Sequence, residues 1–362
     1  SNWNDHKVFF PVNNGSALPF DPFACSFYLV SRYAEYLPHI KDHHGRFSAE
    51  DSINFKGGFL DRPIVNIWAG HLKKILADSL NLEFFPSPYI FTPTIDINNA
   101  FAYKYKGVGR NSMALLGHLV KFEFRRFTKR VKVLTGISKD PYDTYQQQSQ
   151  IHKKYNLKPQ YFVMVGDPGP HNNNISHTNK HYITLIQTLD KNGEVCLHPS
   201  YDSSENEERV LDEKQRLEAI LQRPVTKSRQ HYVKINIPHT YRLLNKIGIK
   251  EDYSMGYASK VGFRAGTCSP FFFFDLEKNQ VTELKIFPFT VMDTTLKRYL
   301  RMRSKEVIPF LTPIANEIKL LGGNFTFIFH NESLGNSGSW KHWGSMYENV
   351  IKLALEKKEN KL

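Results

Sequence analysis

The stretch YIFTPTIDIN, Tyr89–Asn98, decides the fold predicted for this chain. It is a short, mainly apolar run that ends with two polar residues, Asp96 and Asn98, at alternate positions. A run of this length, bounded by turn-forming residues, is typical of a buried β-strand. We therefore predict a strand here that carries Asp96 and Asn98 at its carboxyl end.

Beyond this strand, short apolar runs alternate with amphipathic stretches to the end of the chain. Further strands are predicted at Gln160–Gly166, Glu194–His198, Thr226–Tyr232, Phe271–Asp275, Glu283–Phe287 and Asn324–His330. Helices are predicted at Asn111–Leu134, Thr178–Leu189, Glu205–Leu221, Pro238–Ile247, Thr294–Ser304 and Lys305–Leu321, and a polar loop at Gly136–Gln150. Strands that alternate with helices predict an α/β protein with a parallel sheet, closed or open.

The sequence before Tyr89 has a different pattern. Phe23–Leu37 and Ile64–Leu80 have helically spaced apolar residues, and Pro63 suits the first turn of the second helix. We predict a mostly helical N-terminal module over residues 1–85 and the α/β domain over residues 86–362. Ser1 and Asn2 resemble a cloning remnant, so we expect the natural N-terminus to be missing.

The net charge of the chain is +13, and its densest basic run is Lys121–Lys132. Apolar residues recur within this run at roughly helical spacing, which predicts an amphipathic helix with a solvated basic face. A second interpretation is peripheral contact with an anionic membrane surface. No zinc-finger, RNP or basic-zipper pattern accompanies the charge, so we expect no nucleic-acid partner.

The chain has three widely spaced cysteines, Cys25, Cys196 and Cys268. Their odd number and spacing argue against a disulfide framework and against a cysteine-based zinc site. A reducing compartment follows most simply. We recognise no signal peptide or membrane-spanning run, and therefore expect a cytoplasmic location.

Polar residues gather where the predicted strands end, which is where parallel α/β folds place their reactive groups. They are Asp96 and Asn98, then Asp167 and His171, then His198, Tyr201 and Asp202, then Arg229 and His231, and finally His330. Several acids, several histidines and an arginine on one rim suit hydrolysis with acid/base assistance, with or without a metal.

The ordered motifs TIDIN, LHPSYDS, SRQHY, GFRAGT and FIFHN resemble those of polysaccharide deacetylases, the NodB-homology group or carbohydrate esterase family four. FDPF, SRYAEYL, DHHGRF and PIVNIW, all before residue 70, resemble a branch common in Bacteroidetes that places a helical module before the barrel. Residues Asp252–Phe271 and Leu284–Leu296 also resemble this branch. The resemblance spans nearly the whole chain. It implies a distorted (β/α)7 barrel that removes N-acetyl groups from an amino-sugar glycan.

The resemblance also implies roles for individual residues. Asp96 matches the general base, and Arg229 matches the arginine that orients it. His330 matches the histidine that protonates the leaving amine, with Asp293 as the residue that holds it. Arg264 would lie near the substrate or fix a loop, and His231 and Tyr201 are assigned to substrate binding.

The same resemblance implies a divalent metal, most often zinc, held by an aspartate and two histidines. His198 matches the first histidine. Asn98 stands where the aspartate is usual, and Asp202 stands where the second histidine is usual. Asn98, His198 and Asp202 would thus form an altered metal site, for which Mg²⁺ or Mn²⁺ is an alternative ion.

Two functions remain open at this point. One is an active hydrolase of carbon–nitrogen bonds that deacetylates a glycan. The other is a catalytically impaired relative that binds a glycan or an envelope precursor, and the altered positions Asn98 and Asp202 favour it.

Overall fold

The computed structural model describes residues 2–3, 6–12 and 15–356. Its N-terminal part contains a two-stranded ribbon and three helices, β1 (Asn2–Trp3), β2 (His6–Lys7), α1 (Pro22–Val30), α2 (Ile53–Lys56) and α3 (Ile64–Leu80). Asp21 is the N-cap of α1, and its side chain accepts hydrogen bonds from the backbone N–H groups of Phe23 and Ala24. The predicted helical character of this region is therefore confirmed, although the boundary at residue 85 stays a prediction.

The remainder of the chain alternates strands and helices. Its first strands and helices are β3 (Ile90–Phe91), β4 (Thr94–Ile97), α4 (Val108–Val120), α5 (Phe124–Leu134), α6 (Tyr145–Lys154), β5 (Gln160–Val163), α7 (Lys180–Asn192), β6 (Glu194–Leu197), α8 (Glu207–Leu221), β7 (Lys227–Ser228) and α9 (His239–Lys246). Its later ones are β8 (Glu251–Asp252), β9 (Phe271–Asp275), β10 (Gln280–Ile286), β11 (Val291–Met292), α10 (Ser304–Leu321), β12 (Asn324–Phe325), β13 (Phe327–His330) and α11 (Met346–Leu355).

The main sheet runs in the order β11-β13-β4-β5-β6-β7-β8-β10-β9. Every neighbouring pair is parallel except β9 with β10, which is antiparallel. Strands β10 and β11 stand near opposite ends of this order, yet only residues 287–290 separate them in the chain. Strand β10 pairs with β8, and β11, which follows it in the chain, pairs with β13. Together β10 and β11 therefore occupy one position and close a ring of seven strand positions. The predicted α/β fold with a parallel sheet is confirmed.

The strands of the ring are covered on both faces. All residues of β4, β5 and β13 are buried, as expected for strands of a parallel sheet that helices surround. Helix α7 packs on the outside through Tyr182, Ile186 and Leu189, which lie on one helical face.

The N-terminal module packs against the segment Gly262–Gly266 of the barrel. The backbone N–H of Phe263 donates to the carbonyl of Leu60 at 2.8 Å, and the N–H of Val65 donates to the carbonyl of Gly266 at 2.9 Å. Gly262 has a φ of +135°, and a Cβ there would lie 2.2 Å from the carbonyl oxygen of Leu60. Glycine is therefore required at this contact.

Within the described part of the chain, no helix is long and apolar enough to cross a membrane.

Candidate active site

A cavity of about 430 Å³ opens at the carboxyl ends of the barrel strands. Most of the polar residues that the sequence singled out at the strand ends line it. Its lining comprises Arg46, Asp96, Asn98, Asn99, His171, Asn173, His198, His231, Tyr232, Val233, Ala258, Met292, Thr294, Arg298, Tyr299, His330 and Glu332.

Asp96 lies near the end of β4 and is only 4% exposed. Its Oδ1 accepts a hydrogen bond of 2.7 Å from Nη1 of Arg229, a fully buried side chain that also donates to the carbonyl of Tyr253. Burial alone would raise the pKa of Asp96, but the charge of Arg229, with that of His330, lowers it overall. Asp96 is thus held ionised, with its Oδ2 free of Arg229.

His330 is the last residue of β13 and lies directly beside Asp96 in the sheet register. Its Nδ1–H donates to Oδ1 of Asp293 at 2.7 Å, and its backbone N–H donates to Oδ2 of Asp293 at 2.8 Å. Burial disfavours the charged ring, but the buried carboxylate of Asp293 raises the pKa of His330 to about 9. The site therefore places a protonated imidazole next to an ionised carboxylate.

His198 and His231 form a pair of imidazoles beside Asp96. Nδ1 of His198 lies 2.6 Å from the carbonyl oxygen of Arg229, and Nε2 of His231 lies 3.2 Å from the carbonyl oxygen of His171. Because a carbonyl oxygen only accepts, both of these ring nitrogens must donate. The remaining nitrogens, Nε2 of His198 and Nδ1 of His231, face each other at 3.2 Å. Burial lowers the pKa of His198 to about 4, although the charge of Asp96 opposes this.

The structure does not bring together the three metal ligands that the sequence predicted. Asp202 lies in a 3₁₀ turn with its side chain 58% exposed, and its carboxylate is 3.7 Å from Arg209. His198 and Asn98 do line the cavity, and the Oδ1 of Asn98 is buried without a hydrogen-bond partner among the described residues. In that same part of the chain, no three His, Cys, Asp or Glu side chains are arranged to hold an ion. The predicted set therefore does not fit a metal.

Two residues assigned to substrate binding also lie elsewhere. Arg264 is 1% exposed and donates to both carboxylate oxygens of Glu35, at 2.9 and 2.6 Å, so it joins the module to the barrel. This contact agrees with the alternative role of fixing a loop. Tyr201 lies outside the cavity lining, with its hydroxyl 3.1 Å from Nδ1 of His44. His231 is the only one of the three assigned side chains that lines the cavity.

The N-terminal module supplies a cavity residue that the sequence analysis missed. Arg46 donates to the carbonyl of Tyr232 at 2.7 Å and is held by Asp42. Arg46 belongs to the motif DHHGRF, which the sequence analysis used only for its resemblance, because nothing local indicates that this segment reaches the barrel. A π-helical turn, Thr295–Tyr299, similarly brings Arg298 and Tyr299 to the rim.

Residues 1–81 match the model of a family of unknown function, DUF7033. A Mycobacterium smegmatis protein assigned to the polysaccharide deacetylases is 13% identical, with 76% of this chain and 90% of that chain covered and a TM-score of 0.47. No curated protein matches at a significant level.

Two further similar structures are described as an enzyme and as a pseudoenzyme, respectively. The Bacillus cereus polysaccharide deacetylase is 12% identical, with coverage of 73% of this chain and 87% of that chain and a TM-score of 0.33. A CE4 family pseudoenzyme from Bacillus anthracis is 10% identical, with coverage of 74% and 62% and a TM-score of 0.36. The strand order above, and not these similarities, defines the fold class of the chain.

Proposed function

We propose that this protein hydrolyses the N-acetyl group of an amino-sugar glycan, with Asp96 as general base and His330 as general acid. The observation that carries the proposal is the placement of an Arg229-bound carboxylate and an Asp293-bound imidazole on adjacent strands, both facing one cavity. Amide hydrolysis needs a base that activates water and an acid that protonates the leaving nitrogen.

The two groups have matched protonation states for these roles. The lowered pKa of Asp96 leaves its carboxylate able to accept a proton from water near neutral pH. The raised pKa of His330 leaves its imidazolium able to give a proton to the departing amine. The apolar lining residues Val233, Ala258 and Met292 offer a surface for an acetyl methyl group or a sugar face.

The test is acetate release from N-acetylated oligosaccharides, measured with and without added divalent metals. Asp96→Asn and His330→Gln should each lower the rate by about 10²–10⁴-fold, the range for one acid or base group. Asp275→Asn is the matched control, because Asp275 is also a buried aspartate paired with an arginine, Arg242, but lies outside this cavity. This variant should keep its activity.

The second candidate function is glycan binding without turnover, which the altered positions Asn98 and Asp202 favour. Binding of an N-acetylated oligosaccharide with no acetate release under any metal condition would support it and overturn hydrolysis. Turnover that Asp96→Asn abolishes would exclude it.

We also propose that the hairpin formed by α4 and α5 docks on an anionic membrane surface. The hairpin tip exposes five large apolar residues, Leu116, Leu119, Val120, Phe122 and Phe124. The same segment carries four exposed basic residues, Lys121, Arg125, Arg126 and Lys132. Apolar side chains beside basic ones fit the interface of a bilayer that carries anionic headgroups. Arg110 of α4 donates to the backbone carbonyl of Asn173, a cavity residue, so the hairpin stands beside the cavity.

Vesicle co-sedimentation tests this docking. Binding to vesicles of phosphatidylglycerol and phosphatidylcholine should exceed binding to phosphatidylcholine alone, and it should weaken as salt screens the charges. The double variant Val120→Asp, Phe122→Asp should lose binding. Phe85→Asp should keep it, because Phe85 is 96% exposed but lies outside the hairpin. Equal binding to both vesicle types would contradict the proposal.

A further inference from the structure

Two basic side chains, Lys106 and Arg110, lie beside the cavity near the beginning of α4. Lys106 donates from Nζ to Oδ1 of Asn99 at 2.8 Å and to the backbone carbonyl of Asn173 at 3.3 Å. Arg110 donates to the same carbonyl of Asn173 and to that of Asn174, each at 3.2 Å. Because Asn99 and Asn173 line the cavity, the two positive charges stand next to each other at its edge.

The hydrogen bonds of these two cations all end on neutral oxygen atoms within the part of the chain that the structure describes. Two acidic side chains, Asp140 and Glu332, act on Lys106 only from beyond hydrogen-bond distance. The Asp140 carboxylate already accepts hydrogen bonds from four backbone N–H groups, and Glu332 is 3.5 Å from Arg298. The charges of Lys106 and Arg110 are therefore not compensated, and each destabilises the other.

Both cations keep donors for a further partner. An ammonium group has three N–H donors and a guanidinium group has five, so neither Lys106 nor Arg110 is saturated by its contacts. The space at the turn that joins them is open, because a Cβ at Gly107 or Gly109 would have no atom within 4 Å. A ligand at this turn can therefore reach both side chains.

The electrostatics of the pair favour an anion of high charge. Lys106 is half-buried, and burial together with the charge of Arg110 lowers its pKa to about 8. Arg130 acts in the same direction, whereas Asp140 and Glu332 oppose it. An anion bound to two neighbouring cations relieves their repulsion. Phosphate suits this position better than carboxylate does, because it brings about two negative charges and three acceptor oxygens.

We infer that Lys106 and Arg110 bind a phosphate group that the sugar substrate carries beside its N-acetyl group. The inference rests on the proposed function for the presence of the sugar in the cavity, and it adds the substrate class, a phosphorylated N-acetyl amino sugar. A lipid headgroup presents the same phosphate chemistry, and the arms of the experiment separate these two sources.

The test is calorimetric titration of the full chain with N-acetylglucosamine 1-phosphate and with uncharged N-acetylglucosamine. The phosphorylated sugar should bind about 10–100-fold more tightly, the effect of one or two hydrogen bonds to a charged group. The double variant Lys106→Gln, Arg110→Gln should lose this preference, and Arg110→Gln alone should lose part of it. The matched control is Lys74→Gln, Lys191→Gln, which removes two exposed positive charges from α3 and α7 and should keep the preference.

The pH dependence of binding gives a second readout. A phosphate monoester stays doubly charged between about pH 7 and about pH 9, whereas Lys106 loses its proton there. Affinity for the phosphorylated sugar should therefore fall across this range in the unaltered protein. In Lys106→Gln the affinity should be lower and nearly constant.

Equal affinity for the two sugars, or a preference that the double variant keeps, would overturn the inference. So would loss of binding to phosphatidylglycerol vesicles in the double variant with unchanged affinity for the phosphorylated sugar, since the site would then take a lipid headgroup. A phosphate preference without acetate release would support the inference while contradicting the proposed hydrolysis. Acetate release without a phosphate preference would do the reverse, so the two failures are distinguishable.

Discussion

The contact between His330 and Asp293 makes the pH dependence of the proposed reaction testable at a single residue. Asp293 is fully buried and supplies the charge that keeps the pKa of His330 high against the opposing effect of burial. In Asp293→Asn this charge is gone, so the pKa of His330 should fall. A general acid must be protonated, and the alkaline limb of kcat/KM should therefore move to lower pH by at least about one unit.

The measurement is a pH–rate profile of acetate release for Asp293→Asn and for Glu332→Gln. The Glu332 carboxylate also raises the pKa of His330, but its effect is smaller than that of Asp293 or of Asp96. Its variant should shift the limb in the same direction by a smaller amount. An alkaline limb that is the same in all three proteins would show that His330 is not the acid.

The sequence predicted the position of strand-end residues such as Asp96 and His330 better than that of Asp202, which lies in the turn after a strand. Asp96 and His330 were expected on one rim of strand ends, and they are adjacent because β4 and β13 pair in parallel register. Asp202 was assigned to the metal site only because the resemblance places a second histidine at its position. Pro199 and a 3₁₀ turn follow His198, and the side chain of Asp202 is exposed there rather than directed into the cavity. The roles of all these residues stay predictions.

Among the elements, two predictions between residues 111 and 154 were wrong for different physical reasons. The predicted single helix Asn111–Leu134 is two helices, because the chain turns at residues 121–123, where Phe122 has a φ of +55°. Apolar spacing continues across this break and hides it. Residues 136–150 were predicted as a loop, yet α6 begins at Tyr145. Its sequence is polar, but Gln148 and His152 are buried, so periodicity could not reveal the buried face.

Short strands were not predicted, because two or three residues are too few to show alternation of apolar and polar side chains. Strand β8 contains only Glu251 and Asp252, and nothing apolar indicates it. The predicted strand Thr226–Tyr232 is reduced to Lys227–Ser228, and the predicted helix Thr294–Ser304 is a π-helical turn that ends at Tyr299. Pairing with neighbours in the closed ring, which no single segment encodes, stabilises strands of this length.

At the scale of the whole molecule, a buried ion pair joins the N-terminal module to the barrel. Glu35 and Arg264 have side-chain exposures of 2% and 1%, and Arg32 donates to the same carboxylate at 2.8 Å. Burial opposes the ionised form of Glu35, but the charges of Arg264 and Arg32 lower its pKa overall. The same module also supplies Arg46 to the lining of the cavity.

Glu35→Gln should therefore lower the free energy of unfolding by about 3–5 kcal/mol, because it leaves buried guanidinium groups without their counter-charge. Urea unfolding of the full chain measures this change. The matched control is Glu283→Gln, which removes an exposed carboxylate paired with Lys250 and should alter stability little. In the unaltered protein, the contribution of Glu35 is present above the pKa of a free glutamate and is lost as the pH falls through its lowered folded pKa. The difference between the two proteins should shrink in acid. A difference that stays constant down to acid unfolding would mean that the charge of Glu35 does not couple the module to the barrel.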